Sequence, residues 1–218
     1  DRMNPQLLFV GNDTGIFVTV DGGERWVKMN NNIPNVPVHD LLVHPRENDL
    51  VVGSYGRGLF LTNIAPLQEM TGEVLSRDAY LFAVEPTAQR VPWSFGANDD
   101  LFADAHIKTP NEPGGMVIRY YLKDSGADGA RVIITDDTGA EVARLDGETA
   151  AGINTVVWNM RPPSAGQGRS GGGSVLDRMV PPGEYFVALE VGGEVFTRAA
   201  VITKTQGWSL GPFPEIIR

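Results

Sequence analysis

The amino-acid sequence predicts an all-β protein in two parts, and three observations support this prediction. The 218 residues include 26 glycines and 15 prolines, which separate short apolar runs in the way that turns separate strands. An internal repeat occupies the first part of the chain, where we predict the last one to two blades of a partial β-propeller. In the last hundred residues, short strand patterns follow one another without a repeat, which predicts an Ig-like or FnIII-like β-sandwich.

The internal repeat has a period of 42 to 43 residues. Its two copies match in two apolar runs each, with residues 8–11 (LFVG) against 50–53 (LVVG) and residues 15–19 (GIFVT) against 58–62 (GLFLT). In each copy the two runs flank a polar turn that contains glycine, which predicts a hairpin. A further run, residues 38–43, precedes the second copy. Several strands in a repeat of this length fit a propeller blade, which buries its faces against neighbouring blades.

A turn motif, TVDGGERW, follows the first copy at residues 19–26. The aspartate can accept hydrogen bonds from backbone N–H groups, the glycines permit positive φ, and the tryptophan returns into the core on the next strand. The motif resembles the Asp-box of bacterial neuraminidase repeats, Ser/Thr-x-Asp-x-Gly-x-x-Trp, whose fixed positions are Thr19, Asp21, Gly23 and Trp26 here. We therefore expect Trp26 to be largely buried.

The second copy lacks this motif, because Asn63 leads into a segment in which Pro66 breaks the strand. A helical stretch from Pro66 to Leu75 is expected there. The repeat array therefore ends near residue 63, and we divide the chain into terminal blades (1–63), a connector with a short helix (64–110) and a sandwich (111–218). Since a closed propeller needs about four to eight blades, the remaining blades are expected upstream in the same protein.

The strand pattern returns after a connector that holds one apolar run, residues 79–84. The predicted sandwich strands are residues 103–108, 116–122, 130–135, 141–145, 155–158, 185–191 and 195–203. Val157 and Trp158 are expected in its core, and the Gly- and Ser-rich residues 164–174 are expected to form a loop. We predict a fold that is independent of the repeats and begins between residues 100 and 116.

Three segments of this region resemble a known module. The run 132–139 (VIITDDTG), followed by 152–159 (GINTVVWN) and 180–185 (VPPGEY), is similar to the Ig-like module of flagellar hook-cap proteins and secretion tails. Taken with the blade end and the run 54–58 (SYGRG), the chain resembles the tail of bacterial BNR-repeat, sortilin-like (VPS10-type) propeller proteins, some of which are called glycosyl hydrolases. Where that family commonly has His-Gly-Arg, this chain has Tyr55-Gly56-Arg57.

The resemblance implies a secreted, periplasmic or cell-surface protein in which this chain is a non-catalytic C-terminal part. Its expected roles are protein or glycan binding and structural docking, and its expected partners are the upstream blades, a protein or glycan ligand, and a second copy through self-association. The alternative is that the chain belongs to a BNR-repeat glycoside hydrolase whose catalytic residues lie in the upstream blades, since hydrolysis needs two facing carboxylates. Paired carboxylates in those blades would decide for the hydrolase.

Few residues are candidates for chemistry of their own. Asp21 is assigned a structural role, because Asp-boxes lie on the outer rim of propellers. Arg57 and Tyr55, in the glycine-rich hairpin, either face a ligand or support the turn, and the structural role is favoured for the arginine. No catalytic residue is assigned.

Metal sites and cofactors are not expected. His39, His44 and His106 have no spacing that would place two imidazoles around one ion. Oxygen ligands for calcium could come from Asp99, Asp100 and Asp104, or from Asp136 and Asp137, but neither group forms the alternating aspartate loop. Calcium therefore stays the weaker interpretation of both groups.

Composition excludes further classes of partner. The net charge of -9 and the pI of about 4.8 leave no basic face for nucleic acid. No apolar run is long enough for a membrane span. The absence of cysteine excludes disulfides and thiolate chemistry, but it does not determine the cellular compartment.

Apolar residues of a partial propeller are expected to lie uncovered in the isolated chain, among them Val38, Leu42, Val51, Leu59 and Leu61.

Overall fold

The computed structural model describes residues 1–30, 33–89, 113–126, 129–162 and 179–204. Within these residues the chain is all-β, as the sequence predicts, with two helices of five residues each. Its contacts divide it into two units, Asp1–Phe82 and Ala83–Arg218.

The first unit contains two antiparallel meanders of three strands. The first meander consists of β1 (Leu8–Asn12), β2 (Gly15–Thr19) and β3 (Val27–Met29). The second meander consists of β4 (Val38–Val43), β5 (Asp49–Ser54) and β6 (Leu59–Asn63). Both repeat copies therefore form hairpins, β1–β2 and β5–β6, as predicted.

An apolar core joins the two meanders. Its buried members come from both, with Ile16 of β2 beside Leu50, Val52 and Phe60 of β5 and β6. The backbones approach most closely at Gly11, where an added Cβ would lie 2.5 Å from Cγ1 of Val38. Val38 is consequently buried, contrary to the expectation that it is uncovered, because its side chain fills the space that the glycine leaves.

The two meanders bury opposite faces of the repeat. Val10 and Val52 occupy equivalent positions, yet Val10 is 44% exposed and Val52 is fully buried. Ile16 and Leu59 are also equivalent, and here the first copy is fully buried while the second is 69% exposed. Because side chains alternate between the faces of a strand, each hairpin has two apolar faces, and the core uses a different one from each copy.

Each meander therefore keeps an outer face with apolar side chains. The outer face of the first meander carries Leu8, Val10 and Phe17, and the outer face of the second meander carries Leu42, Val51, Leu59 and Leu61. Leu42, Leu59 and Leu61 are strongly exposed, as expected, whereas Val51 is half-buried.

The segment after β6 differs from the single predicted helix. It forms α1 (Ala65–Glu69) and α2 (Gly72–Ser76), which are followed by β7 (Ala79–Leu81). The break lies at Thr71, which has an extended backbone and whose side chain accepts a hydrogen bond from the N–H of Val74. Thr71 is thus the N-cap of a new helix, a role that threonine favours over a place inside a helix.

The second unit is built of longer strands. They are β8 (Thr87–Ala88), β9 (Met116–Leu122), β10 (Ala130–Asp136), β11 (Glu141–Gly147), β12 (Gly152–Trp158), β13 (Gly183–Val191) and β14 (Glu194–Thr203). Five of them form one sheet in the order β11-β10-β13-β14-β8, in which only the β14–β8 pair is parallel, and β9 pairs with β12. The predicted strands of this region are confirmed to within a few residues, except for residues 103–108, which lie outside the described residues, as does the predicted loop 164–174.

The core of the second unit includes Trp158, which is buried as predicted. Its ring meets that of Tyr185 edge to face at 5.9 Å, so the β9–β12 pair contacts the five-stranded sheet. The prediction for Val157 is wrong, because strand alternation turns this residue outward and leaves it 40% exposed. Whether the unit is an Ig-like sandwich stays a prediction.

Candidate functional site

The turn at residues 19–26, which resembles an Asp-box in sequence, is closed by its own side chains. The Thr19 hydroxyl is buried, donates to Oδ1 of Asp21 at 2.5 Å and accepts the N–H of Gly23 at 3.1 Å. Oδ1 of Asp21 also accepts the N–H of Arg25 at 3.0 Å. These bonds, that of Thr19 first, lower the pKa of Asp21 below its usual value of 3.8. Asp21 is occupied with the turn, in agreement with a structural role.

Trp26 does not fill the core, so the prediction that it is largely buried is wrong. It is 39% exposed, and its Nε1 lies 3.8 Å from the position that a Cβ on Gly23 would take. The indole ring therefore packs over the glycine of its own turn. The core between the meanders is already occupied by aliphatic and phenyl side chains such as Ile16 and Phe60, which leaves the indole at the surface.

The candidate residues Tyr55 and Arg57 lie at the other end of the meanders. There the turns of the two hairpins, Asn12–Gly15 and Ser54–Gly58, lie beside the start of β4 at Pro37, a group that we call the hairpin end. The contact of Gly11 with Val38 places both turns at the same end, whereas the Asp-box follows the far end of β2. The sequence-predicted residues thus form two separate groups.

Tyr55 presents an aromatic ring at the hairpin end. Its backbone N–H donates to the carbonyl of Pro37 at 2.9 Å, and its ring stacks on His39 with centroids 5.2 Å apart and an interplanar angle of 23°. The ring is nevertheless 69% exposed. One face of the ring is fixed by His39, and the exposed face can pack against an apolar face of a ligand.

Arg57 lies at the tip of the same hairpin, and its side chain is exposed. The turn is set by Gly56 and Gly58, which have φ of 73° and 85°, and by the Ser54 hydroxyl, which donates to the carbonyl of Gly58 at 2.6 Å. Because positive φ favours glycine, these two positions hold the arginine in a defined turn. The Ser54 hydroxyl supports the turn carbonyl, and the structural role predicted for Arg57 stays a prediction.

Two residues of the hairpin end were not predicted from the sequence. Lys28 of β3 donates to Oδ1 of Asn35 at 2.6 Å and lies 6.0 Å from the centre of the Phe17 ring. His39 was considered only as a metal ligand, and its stacking on Tyr55 follows from a register shift between Val38 and Asp40. A β-bulge of this kind redirects a side chain and leaves no periodic signal in the sequence.

The candidate metal ligands lie only partly within the described residues. In those parts of the chain no three His, Cys, Asp or Glu side chains come together as metal ligands would. Oδ1 of Asp136 already accepts the N–H groups of Thr138 and Ala140, and hydrogen bonding, that of the Thr138 hydroxyl first, lowers the pKa of Asp136. Asp99, Asp100, Asp104 and His106 lie outside the described residues.

Two buried tyrosines of the second unit have raised pKa values. Burial first, and then the charge of Glu148, raise the pKa of Tyr120 to about 12, and burial raises that of Tyr185. The Tyr120 hydroxyl donates to the Glu148 carbonyl, and the Tyr185 hydroxyl donates to that of Pro181. Both hydroxyl groups connect a strand to a loop, so we assign these tyrosines a structural role.

Comparison of the sequence with protein-family models and with curated proteins found no match. Among the described residues, no helix has the length and apolar character that a membrane crossing requires.

Proposed function

We propose that this chain is the non-catalytic C-terminal part of a secreted β-propeller protein, and that residues 1–63 are two consecutive blades. The observation that carries the proposal is the exchange of faces between equivalent residues, Val10 with Val52 and Ile16 with Leu59. A stack of like sheets in which each copy buries one face on the preceding copy and the other on the following copy produces this exchange. A propeller is such a stack closed into a ring.

The Asp-box resemblance does not support the proposal. Thr19, Asp21 and Gly23 form a hydrogen-bonded turn between β2 and β3. Trp26 is exposed, however, whereas an Asp-box tryptophan is expected in the core of its blade, so the motif does not support the family assignment. The BNR-repeat, sortilin-like family is therefore a proposal that rests on the repeat.

The hairpin end is the proposed ligand-binding surface. It combines an exposed aromatic ring, Tyr55, with an exposed guanidinium group, Arg57, on one glycine-flanked turn. An arginine side chain binds carboxylates with two parallel hydrogen bonds, and an aromatic ring packs against an apolar ring face. The ligand that fits both is an acidic glycan or an acidic segment of a protein.

The second unit is proposed as the docking and spacing domain of the same protein, in the manner of Ig-like modules. Its exposed apolar side chains, which could contact a partner, include Ile153, Phe186, Val195 and Val201. A secreted, periplasmic or cell-surface location is part of the proposal and rests on the family resemblance.

Calorimetric titration of the full chain with an acidic oligosaccharide and, separately, with an acidic peptide tests the binding role. We expect Tyr55→Ala and Arg57→Ala each to weaken binding about tenfold, since each removes one contact worth about 1.4 kcal/mol. Arg46→Ala is the matched control, because Arg46 is also exposed but lies in the turn between β4 and β5 at the opposite end. If neither probe binds, or if Arg46→Ala weakens binding as much as Arg57→Ala, the hairpin end is not the binding surface.

A further inference from the structure

The two outer faces of the meanders are related to each other through the repeat. Within the chain, the face of Ile16 and Val18 packs against the face of Leu50, Val52 and Phe60. The repeat equivalents of Ile16 and Val18 are Leu59 and Leu61, on the outer face of the second meander. The equivalents of Leu50, Val52 and Phe60 are Leu8, Val10 and Phe17, which make up the outer face of the first meander.

The contact inside the chain therefore predicts a contact between chains. Suppose that the outer face of the first meander of one chain lies on the outer face of the second meander of another chain. Each apolar side chain then meets the same kind of partner that its repeat equivalent meets inside the chain. The residue types are retained at these positions, with valine for valine at Val10 and Val52 and phenylalanine for phenylalanine at Phe17 and Phe60. This contact continues an interface that the structure already contains.

The charges on the two outer faces are complementary as well. On the first meander, Lys28 lies directly opposite Phe17 in the strand register and shares its face. On the second meander, Asp40 pairs with Gly53 and Asp49 pairs with Asn63, which places both carboxylates on the face of Leu59 and Leu61. A cation on one face and two carboxylates on the other favour contact between unlike faces over contact between like faces.

We propose that a second copy of this chain docks head to tail, with the outer face of its first meander on the outer face of the second meander of its neighbour. This proposal rests on the proposed assignment of residues 1–63 as consecutive blades, and the second copy takes the place that the proposed upstream blades hold on the first meander in the longer protein. The two surfaces differ, so the contact is heterologous, and chains can add in a row or close into a ring. A standard interface buries about 800 Å² per partner, and a contact through one three-stranded face is expected to be weak enough for dissociation to be seen in a dilution series.

Sedimentation velocity of the full chain over a concentration series, with two face variants, tests this proposal. Val10→Glu places a negative charge on the outer face of the first meander, where it would meet the carboxylates of Asp40 and Asp49, and Leu61→Lys places a positive charge on the outer face of the second, where it would meet Lys28. Both residues are exposed, at 44% and 65%, so the fold is expected to persist, which circular dichroism verifies. Val195→Lys, at an exposed valine of the second unit, is the matched control.

We expect the unmodified chain and Val195→Lys to form larger species as concentration rises, and each face variant to stay monomeric. An equimolar mixture of the two face variants is expected to give a dimer and nothing larger, because each variant retains the face that the other has lost. A symmetric contact gives a different result, since one variant then still pairs with itself.

Three results overturn the proposal. They are an unmodified chain that stays monomeric at every concentration, a mixture of the face variants that does not pair, and a face variant that associates as the unmodified chain does. Tyr55 and Arg57 belong to neither outer face, so the calorimetric titration can be repeated on the monomeric variants. A monomeric chain that binds its ligand overturns head-to-tail docking alone, whereas loss of ligand binding in an associating chain overturns the binding role alone.

Discussion

At the scale of single residues, the turn at residues 19–26 shows which features a sequence motif predicts and which it does not. The hydrogen bonds of Thr19 and Asp21 are local, spanning four residues or fewer, so the motif predicts them. The position of Trp26 depends on whether the core has room for an indole ring, and the partners that fill it come from β5 and β6. Burial of that side chain could not be predicted from the motif.

Asp21 provides a test of the turn through pH. Its folded-state pKa lies below 3.8 because Thr19 and the backbone N–H of Arg25 hydrogen-bond the charged form. A group with a depressed folded pKa stabilises the fold above its unfolded pKa and loses this contribution as pH falls through the folded value. We expect the urea concentration at the midpoint of unfolding to decrease as the pH is lowered from 4 to 2. In Asp21→Asn we expect a smaller decrease over the same pH range.

Urea unfolding at a series of pH values measures this difference. Asp13→Asn is the control, since Asp13 lies in a neighbouring turn and is exposed. Equal pH dependence in Asp21→Asn and the unmodified chain would show that the carboxylate does not stabilise the turn.

At the scale of elements, the sequence predicted the bounds of the strands more accurately than those of the helices. Short apolar runs predict strands such as Val38–Val43 and Met116–Leu122, whose bounds agree with the prediction. The segment from residue 66 to 75 has apolar residues at helical spacing, but the capping preference of Thr71 divides it. The stack of Tyr55 on His39 depends on a bulge in β4, which no local pattern encodes.

The edge strand β8 gives a prediction for the second unit. Thr87–Ala88 pairs with the end of β14, and the buried Gln89 side chain donates to the Val180 carbonyl at 2.7 Å. A fragment of residues 83–218 is therefore expected to unfold cooperatively, and a fragment of residues 100–218 to be less stable by about 1–3 kcal/mol, since it leaves the Val180 carbonyl without that donor. Thermal unfolding of both fragments measures this, and an unfolded 83–218 fragment would mean that the second unit needs the first.

At the scale of the whole molecule, the repeat defines a direction of stacking. Each copy has two apolar faces, and the core between the meanders uses the Ile16 face of the first and the Val52 face of the second. The sequence shows that the copies are alike, but it does not show which face each one buries, because both faces of each hairpin are apolar. That choice becomes visible only when the two copies are seen packed together.

The most direct test of this account compares equivalent residues in pairs, Val10 with Val52 and Leu59 with Ile16. In the full chain, at concentrations where it is monomeric, Val52→Ala is expected to lower the free energy of unfolding by about 2 kcal/mol and Ile16→Ala by about 2–5 kcal/mol. Val10→Ala and Leu59→Ala, at exposed positions, are expected to change it by no more than about 0.5 kcal/mol. Urea denaturation of the four variants provides the measurement. Consecutive blades predict that the larger loss of stability comes from the second copy in the Val10–Val52 pair and from the first copy in the Ile16–Leu59 pair. Equal losses of stability within each pair would contradict them.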